Sequence, residues 1–158
     1  MNKLAWYISL AITLFGFLIV RYYFTLSPDE PLKALNPAFI PLIFIVPFLL
    51  LSLFITFIVG SQYFYDFTMK RLLNYVGILL LIVVVGSYVT FVQIDSDLKL
   101  FGGSTTDPSS TIYHLNIWNS YTNGWFINEM TFFALHAIAF GLGFFKRKSA
   151  YPEEKTDV

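Results

Sequence analysis

Four stretches of the chain are apolar for long enough to cross a bilayer, and they organise everything else. A helix rises about 1.5 Å per residue, so a hydrocarbon core of roughly 30 Å takes about 20 predominantly apolar residues. Residues 4–24, 38–59, 72–93 and 125–145 meet that length. The fourth stretch is the least apolar, because it carries Asn128, Glu129 and His136. Its flanks compensate: Trp125 is an interfacial aromatic at one end, and Lys146-Arg147-Lys148 forms a basic stop at the other. The pattern predicts an all-α membrane protein, a four-transmembrane-helix bundle that forms a single domain over 1–158. The first stretch follows Lys3 as a signal peptide would, but no small-residue cleavage site comes after it, so it is expected to remain as an uncleaved span.

Between the third and fourth spans, residues 94–124 form the one sizeable polar segment. Val92, Ile94, Ser96, Leu98 and Leu100 interleave with Gln93, Asp95, Asp97 and Lys99, the period-two pattern of a half-buried strand. Gly102 to Ser110 is rich in turn residues, and Tyr113, Leu115 and Ile117 then alternate with His114, Asn116 and Trp118. The expectation is a small extracytoplasmic β-hairpin between helices 3 and 4, lying on the bundle mouth, meeting the first loop, or pairing with a partner. In span two, Pro41 and Pro47 predict a kink in the outer half, and Gln62 to Tyr65 are expected along the inner interface.

Charge placement gives the orientation. With both termini and the segment after span two in the cytoplasm, Lys3, Lys70, Arg71, Lys146, Arg147, Lys148 and Lys155 lie inside, and Arg21, Lys33 and Lys99 outside. The expected location is therefore a membrane, the bacterial cytoplasmic membrane, with a cytoplasmic tail over 146–158. Composition agrees: 56% of residues are hydrophobic and 13% charged, against about 45–50% and 25% in soluble domains. A formal charge of zero gives no field for nucleic acid, and the absence of cysteine excludes thiolate, disulfide and zinc–cysteine chemistry.

Ionisable groups at membrane depth are costly and define the candidate site as Arg21, Glu129 and His136. Arg21 lies about a turn inside the outer end of span one, and Glu129 lies at similar depth in span four, so the two are placed to pair. His136 falls two turns beyond Glu129 on the same face and needs a hydrogen-bond partner, for which Thr13 and Ser52 are at the right level. Ala139 and Gly143, with Ala137 and Gly141, form small-residue strips suited to close helix contact. His114 and Trp118 are candidate outer-loop contacts. A single intramembrane histidine cannot supply bis-histidine haem ligation within one chain, and a histidine with one carboxylate is too few ligands for a metal, so no cofactor or metal is expected.

No catalytic constellation is complete. The expected function is that of a non-enzymatic accessory or regulatory partner of a larger membrane complex, its partners being the lipid bilayer and another membrane protein or a second copy of itself. One alternative is a ligand-binding or transporter-like bundle with a polar pocket at Glu129 and His136. Another is a membrane-embedded lipid-modifying enzyme using His114, Glu129 or His136 as acid and base.

Overall fold

The computed structural model describes residues 3–32, 35–65 and 67–146; Lys33, Arg147, Lys148 and Lys155 lie outside them, as does nearly all of the expected tail. It is all-helical. The elements are α1 (Lys3–Tyr23), α2 (Phe39–Tyr63), α3 (Met69–Leu100), a single-turn α4 (Asn123–Phe126), α5 (Glu129–Leu142) and a 3₁₀ turn over Gly143–Lys146. Four helical segments are long and apolar enough to cross a membrane: Lys3–Tyr23, Phe39–Tyr63, Lys70–Leu100 and Asn123–Lys146. Pro41 sits in the first turn of α2, where a missing N–H deprives no helical partner, whereas Pro47 lies inside and leaves the Ile43 carbonyl without its usual donor. The helix nevertheless runs on through Pro47 to Tyr63, and the next residue, Phe64, is fully buried against Phe140 and Tyr75.

The expected β-hairpin is not present: no described residue is in a strand. The alternation over 92–100 is part of α3, which continues two turns past the expected end of span three. Two periodicities coincide there. Ile94 and Leu98, two apart in the alternation, are also an i, i+4 pair, and with Phe101 they form a helical stripe packed around Leu26, Ile112, Tyr121 and Trp125. Val92 and Leu100, which a strand would bury on the same face, are exposed. The glycine pair then ends the helix instead of turning a hairpin. Gly103 N–H reaches the Leu98 carbonyl at 2.9 Å and Gly102 N–H the Lys99 carbonyl at 3.3 Å, with Gly102 at φ 76°. That is a Schellman stop, and it uses the left-handed conformation a glycine adopts without steric cost. Residues 101–122 fold as successive turns into a compact cap, which packs on the first loop through Leu26 N–H to Ser120 O (2.8 Å) and Tyr121 Oη to Glu30 O (2.7 Å).

Helix packing is uneven. Both α1 and α2 pack on each other and on α5, while α3 packs on α5 and touches α4. Small residues set the contacts, as expected where lipid offers no hydrophobic drive between helices. Thr13 and Gly16 on α1 and Ser52, Thr56 and Gly60 on α2 are all buried, with Gly16 against Ile45 of α2 and Thr56 against Trp6 of α1. The closest approach is α2 to α5. A Cβ on Gly60 would stand 2.2 Å from the Phe140 carbonyl oxygen, and one on Gly143 would stand 2.4 Å from Ser61 N. Both obstacles are backbone, so neither can turn aside.

Gly60→Ala is therefore expected to lower stability by about 1–3 kcal/mol through overpacking, read as a drop in thermal midpoint in detergent. Gly77→Ala, whose Cβ would meet nothing within 4 Å, is the matched control. It is expected to be neutral or to stabilise by up to about 1 kcal/mol from helix propensity. Equal losses in the two variants would refute backbone contact as the determinant of this crossing.

Candidate functional site

The fourth span is interrupted where it enters the bundle, and one side chain manages the interruption. Between α4 and α5, Ile127 and Asn128 leave helical geometry, and Asn128 is 1% exposed. Its Nδ2 donates to the Gly124 and Trp125 carbonyls at 2.9 and 3.2 Å, and its Oδ1 accepts from Thr131 N–H at 2.9 Å. One amide thus closes the end of α4 and caps the start of α5, satisfying backbone groups that a helix end otherwise leaves orphaned.

Capping in this way places Glu129 in the first turn of α5, at the positive end of the helix dipole. There it forms an ion pair through Oε2 with Arg21 Nη1, from the last turn of α1. Arg21 Nη2 donates to Gln93 Oε1 on α3 at 2.8 Å, and its guanidinium carbon lies 5.3 Å from the Tyr22 ring centre. The two charged side chains are 19% and 23% exposed, so the pair is largely desolvated and holds α1, α3 and α5 together. Gln93 has no charge and no motif around it. Its one signal in the sequence is depth, level with Arg21 near the same end of the bundle.

Above this cluster, the cap is tied down by a second polar hub. Asn36 and Asn123 exchange two amide hydrogen bonds at 2.7 and 2.8 Å, Asn123 Nδ2 also reaches the Phe24 carbonyl at 2.8 Å, and Asn123 Oδ1 accepts from Trp118 Nε1 at 2.9 Å. Asn123 is fully buried, and the hub joins the two loops to α4. Trp118 therefore anchors the cap while its ring stays 44% exposed against Phe39 and Phe126. His114 is an exposed turn residue at φ 60°, its N–H on Thr105 O and its ring on Tyr113. Asp107, in the same turn region, receives the N–H and hydroxyl of Ser109, which hold its carboxyl below the usual range.

Beside the ion pair, a cleft of about 350 Å³ opens between the ends of α1 and α3, lined by Arg21, Thr25, Gln93, Asp97 and Trp125 among others. Asp97 Oδ2 accepts from Trp125 Nε1 at 2.8 Å. His136 is not part of this cleft. It is buried facing α2, with Nδ1 2.8 Å from the Phe132 carbonyl and Nε2 3.0 Å from Ser52 Oγ. The carbonyl can only accept, so Nδ1 carries the hydrogen. In the neutral ring Nε2 then accepts from Ser52, whose single hydrogen serves this contact and not the 3.4 Å approach to Ser9 Oγ. Of the two expected partners, Ser52 is the one in contact; the Thr13 hydroxyl donates to the Ser9 carbonyl instead. Glu129 and His136 thus share a helix but face different neighbours, and His114 joins neither.

Among the described residues, no three of His, Cys, Asp or Glu are grouped to hold a metal. The fold and site define a membrane-embedded four-helix protein with one capped, polar end. Comparison with models of protein families, with curated proteins and with solved structures finds no match to this chain.

Replacing Arg21 by Gln strands a carboxylate, whereas replacing both partners removes the need for either. Arg21→Gln is accordingly expected to cost more stability than the double variant with Glu129→Gln, with a coupling energy of about 1–3 kcal/mol in a double-mutant cycle. Unfolding in detergent reads this directly, and strictly additive effects would mean that the pair does not hold the helices.

Proposed function

We propose that this chain is a non-enzymatic accessory or regulatory subunit of a larger membrane complex, and that it docks through α3. The reading rests on one feature of that helix. Its inward stripe, Leu72, Val76, Leu79, Val83, Gly86 and Thr90, is narrow, and the opposite face, Asn74, Gly77, Leu81, Val85, Tyr88 and Val92, is exposed throughout. On that face Tyr88 is 67% exposed and makes no hydrogen bond among the described residues. Hydrocarbon offers a phenol hydroxyl nothing to bond, whereas a neighbouring helix does, and Gly77, about three turns along the same face, leaves room for close approach.

The proposed setting is the bacterial cytoplasmic membrane, with the cap outside and both termini in the cytoplasm. Lys3, Lys70, Arg71 and Lys146 support this orientation, since they lie at helix ends on the side away from the cap, while Arg21 and Lys99 lie on the cap side. A second reading, a ligand-binding bundle, draws on the cleft between α1 and α3.

Photo-crosslinking residues placed singly at Leu81, Val85 and Tyr88 in native membranes should each give a discrete protein adduct. The same residues at Ile43 and Leu50, exposed on α2, should give lipid alone. An adduct of twice the chain mass would identify a second copy as the partner. Lipid adducts alone from the α3 positions would refute docking through this helix.

A further inference from the structure

The cleft beside Arg21 has a chemistry that docking through α3 does not use. It lies between the final turns of α1 and α3, which have no extensive packing on each other and are bridged by the Arg21–Gln93 hydrogen bond. The residue after Arg21, Tyr22, is 63% exposed, and Leu100 across the cleft is 68% exposed, so the cleft opens sideways at the edge of the apolar zone. That is the level of lipid headgroups, not of acyl chains. At about 350 Å³ it falls within the range of small-molecule sites, about 300–1,000 Å³.

Its charges are arranged in an order that selects among ligands. A guanidinium has five N–H donors, and Arg21 gives one on Nη2 to Gln93 while Nη1 faces Glu129 in the ion pair, leaving others for an anion. The Thr25 hydroxyl spends its hydrogen on the Val20 carbonyl at 3.1 Å, so toward the cleft it is an acceptor. Asp97 stands on the α3 wall with Oδ2 held by Trp125 and Oδ1 without a partner among the described residues. Because Glu129 already matches the charge of Arg21, Asp97 leaves the cleft with an uncompensated negative charge. A simple anion would meet Arg21 but would also meet Asp97. A ligand with an anionic group and an N–H-bearing cation satisfies both.

We propose that the cleft binds the headgroup of a zwitterionic aminophospholipid, its phosphate on Arg21 and its primary ammonium on Asp97 and Thr25, with the glycerol and upper acyl chains leaving past Tyr22 and Leu100. The shared recognition chemistry is phosphoethanolamine, which a lipid or a soluble molecule can present. The lateral opening and the apolar rim favour the lipid. This site is independent of docking through α3, whose outward face lies on the other side of that helix from the stripe that packs on α5.

The test is native mass spectrometry of the full chain in detergent, titrated with phosphatidylethanolamine, phosphatidylglycerol or phosphatidylcholine of matched chains, and with glycerophosphoethanolamine. Phosphatidylethanolamine should be retained over phosphatidylglycerol by about tenfold, the scale of one hydrogen bond to a charged group. It should also exceed phosphatidylcholine, which carries the same charge but no N–H for Asp97. Asp97→Asn preserves an acceptor for Trp125 and should bring phosphatidylethanolamine down to the level of phosphatidylglycerol, while Asp95→Asn, outside the cleft, should leave the preference intact. Equal retention of the three lipids by the wild-type protein would overturn the proposal whether or not the Asp97 variant folds. A preference that survives in a folded Asp97→Asn protein would also overturn it. Binding of glycerophosphoethanolamine as tight as that of the lipid would overturn the lipid as occupant.

Discussion

A transmembrane segment that stops being helical must find partners for the backbone groups it releases, and in this protein Asn128 meets that constraint. Its amide faces both ways across the break, donating to the carbonyls that end α4 and accepting from the first turn of α5. The break lets the chain change direction between the cap and the bundle, so Trp125 points at Asp97 in α3 while Glu129 points at Arg21 in α1. A continuous helix through these positions would fix the two side chains a little over one turn apart on neighbouring faces, and the cleft between α1 and α3 would have no such floor.

Inside the bundle, polar groups are few, and among the described residues the one buried side-chain oxygen without a hydrogen bond, Glu129 Oε2, is met by the charge of Arg21. Trp6 Nε1 donates to Thr56 across the α1–α2 contact at 3.0 Å, Ser52 serves His136, and Thr13 turns back on its own helix. The contrast is with α3, where Tyr88 and Asn74 stand on the outward face. The same physical rule, applied inside, describes a well-satisfied core and, applied outside, singles out one surface.

Hydropathy made four spans legible, because a run of about 20 apolar residues is far longer than a water-soluble fold usually needs to fill its core. Their ends were less legible. The alternation over 92–100 suggests that span three stops at Gln93, yet the Asp95–Lys99 pair, at 2.5 Å and spaced i, i+4, is itself a helical signal. A run of nine residues satisfies both a two-fold and a 3.6-fold period when its inward members are the partly buried Ile94 and Leu98, and the Gly102-Gly103 stop is the feature that distinguishes them. In the site, Arg21 and Glu129 stood out because ionised groups are rare at that depth. Gln93, Asn36, Asn123 and Asn128 did not, since a neutral amide is ordinary in sequence and acquires its role only when distant segments meet, 87 residues apart for the Asn36–Asn123 pair.

The order in which the helices occur along the chain has a consequence for how the protein is made. Helix α5 follows the other three crossings along the chain, and α1, α2 and α3 all pack against it. As the chain emerges, α1 and α2 can associate at once, but α3 enters the membrane with no extensive packing waiting for it, only the Arg21–Gln93 and Tyr63–Tyr75 hydrogen bonds. The packing of α3 is therefore completed only by the least apolar of the four spans. Until then the inward stripe of α3 faces lipid in place of α5.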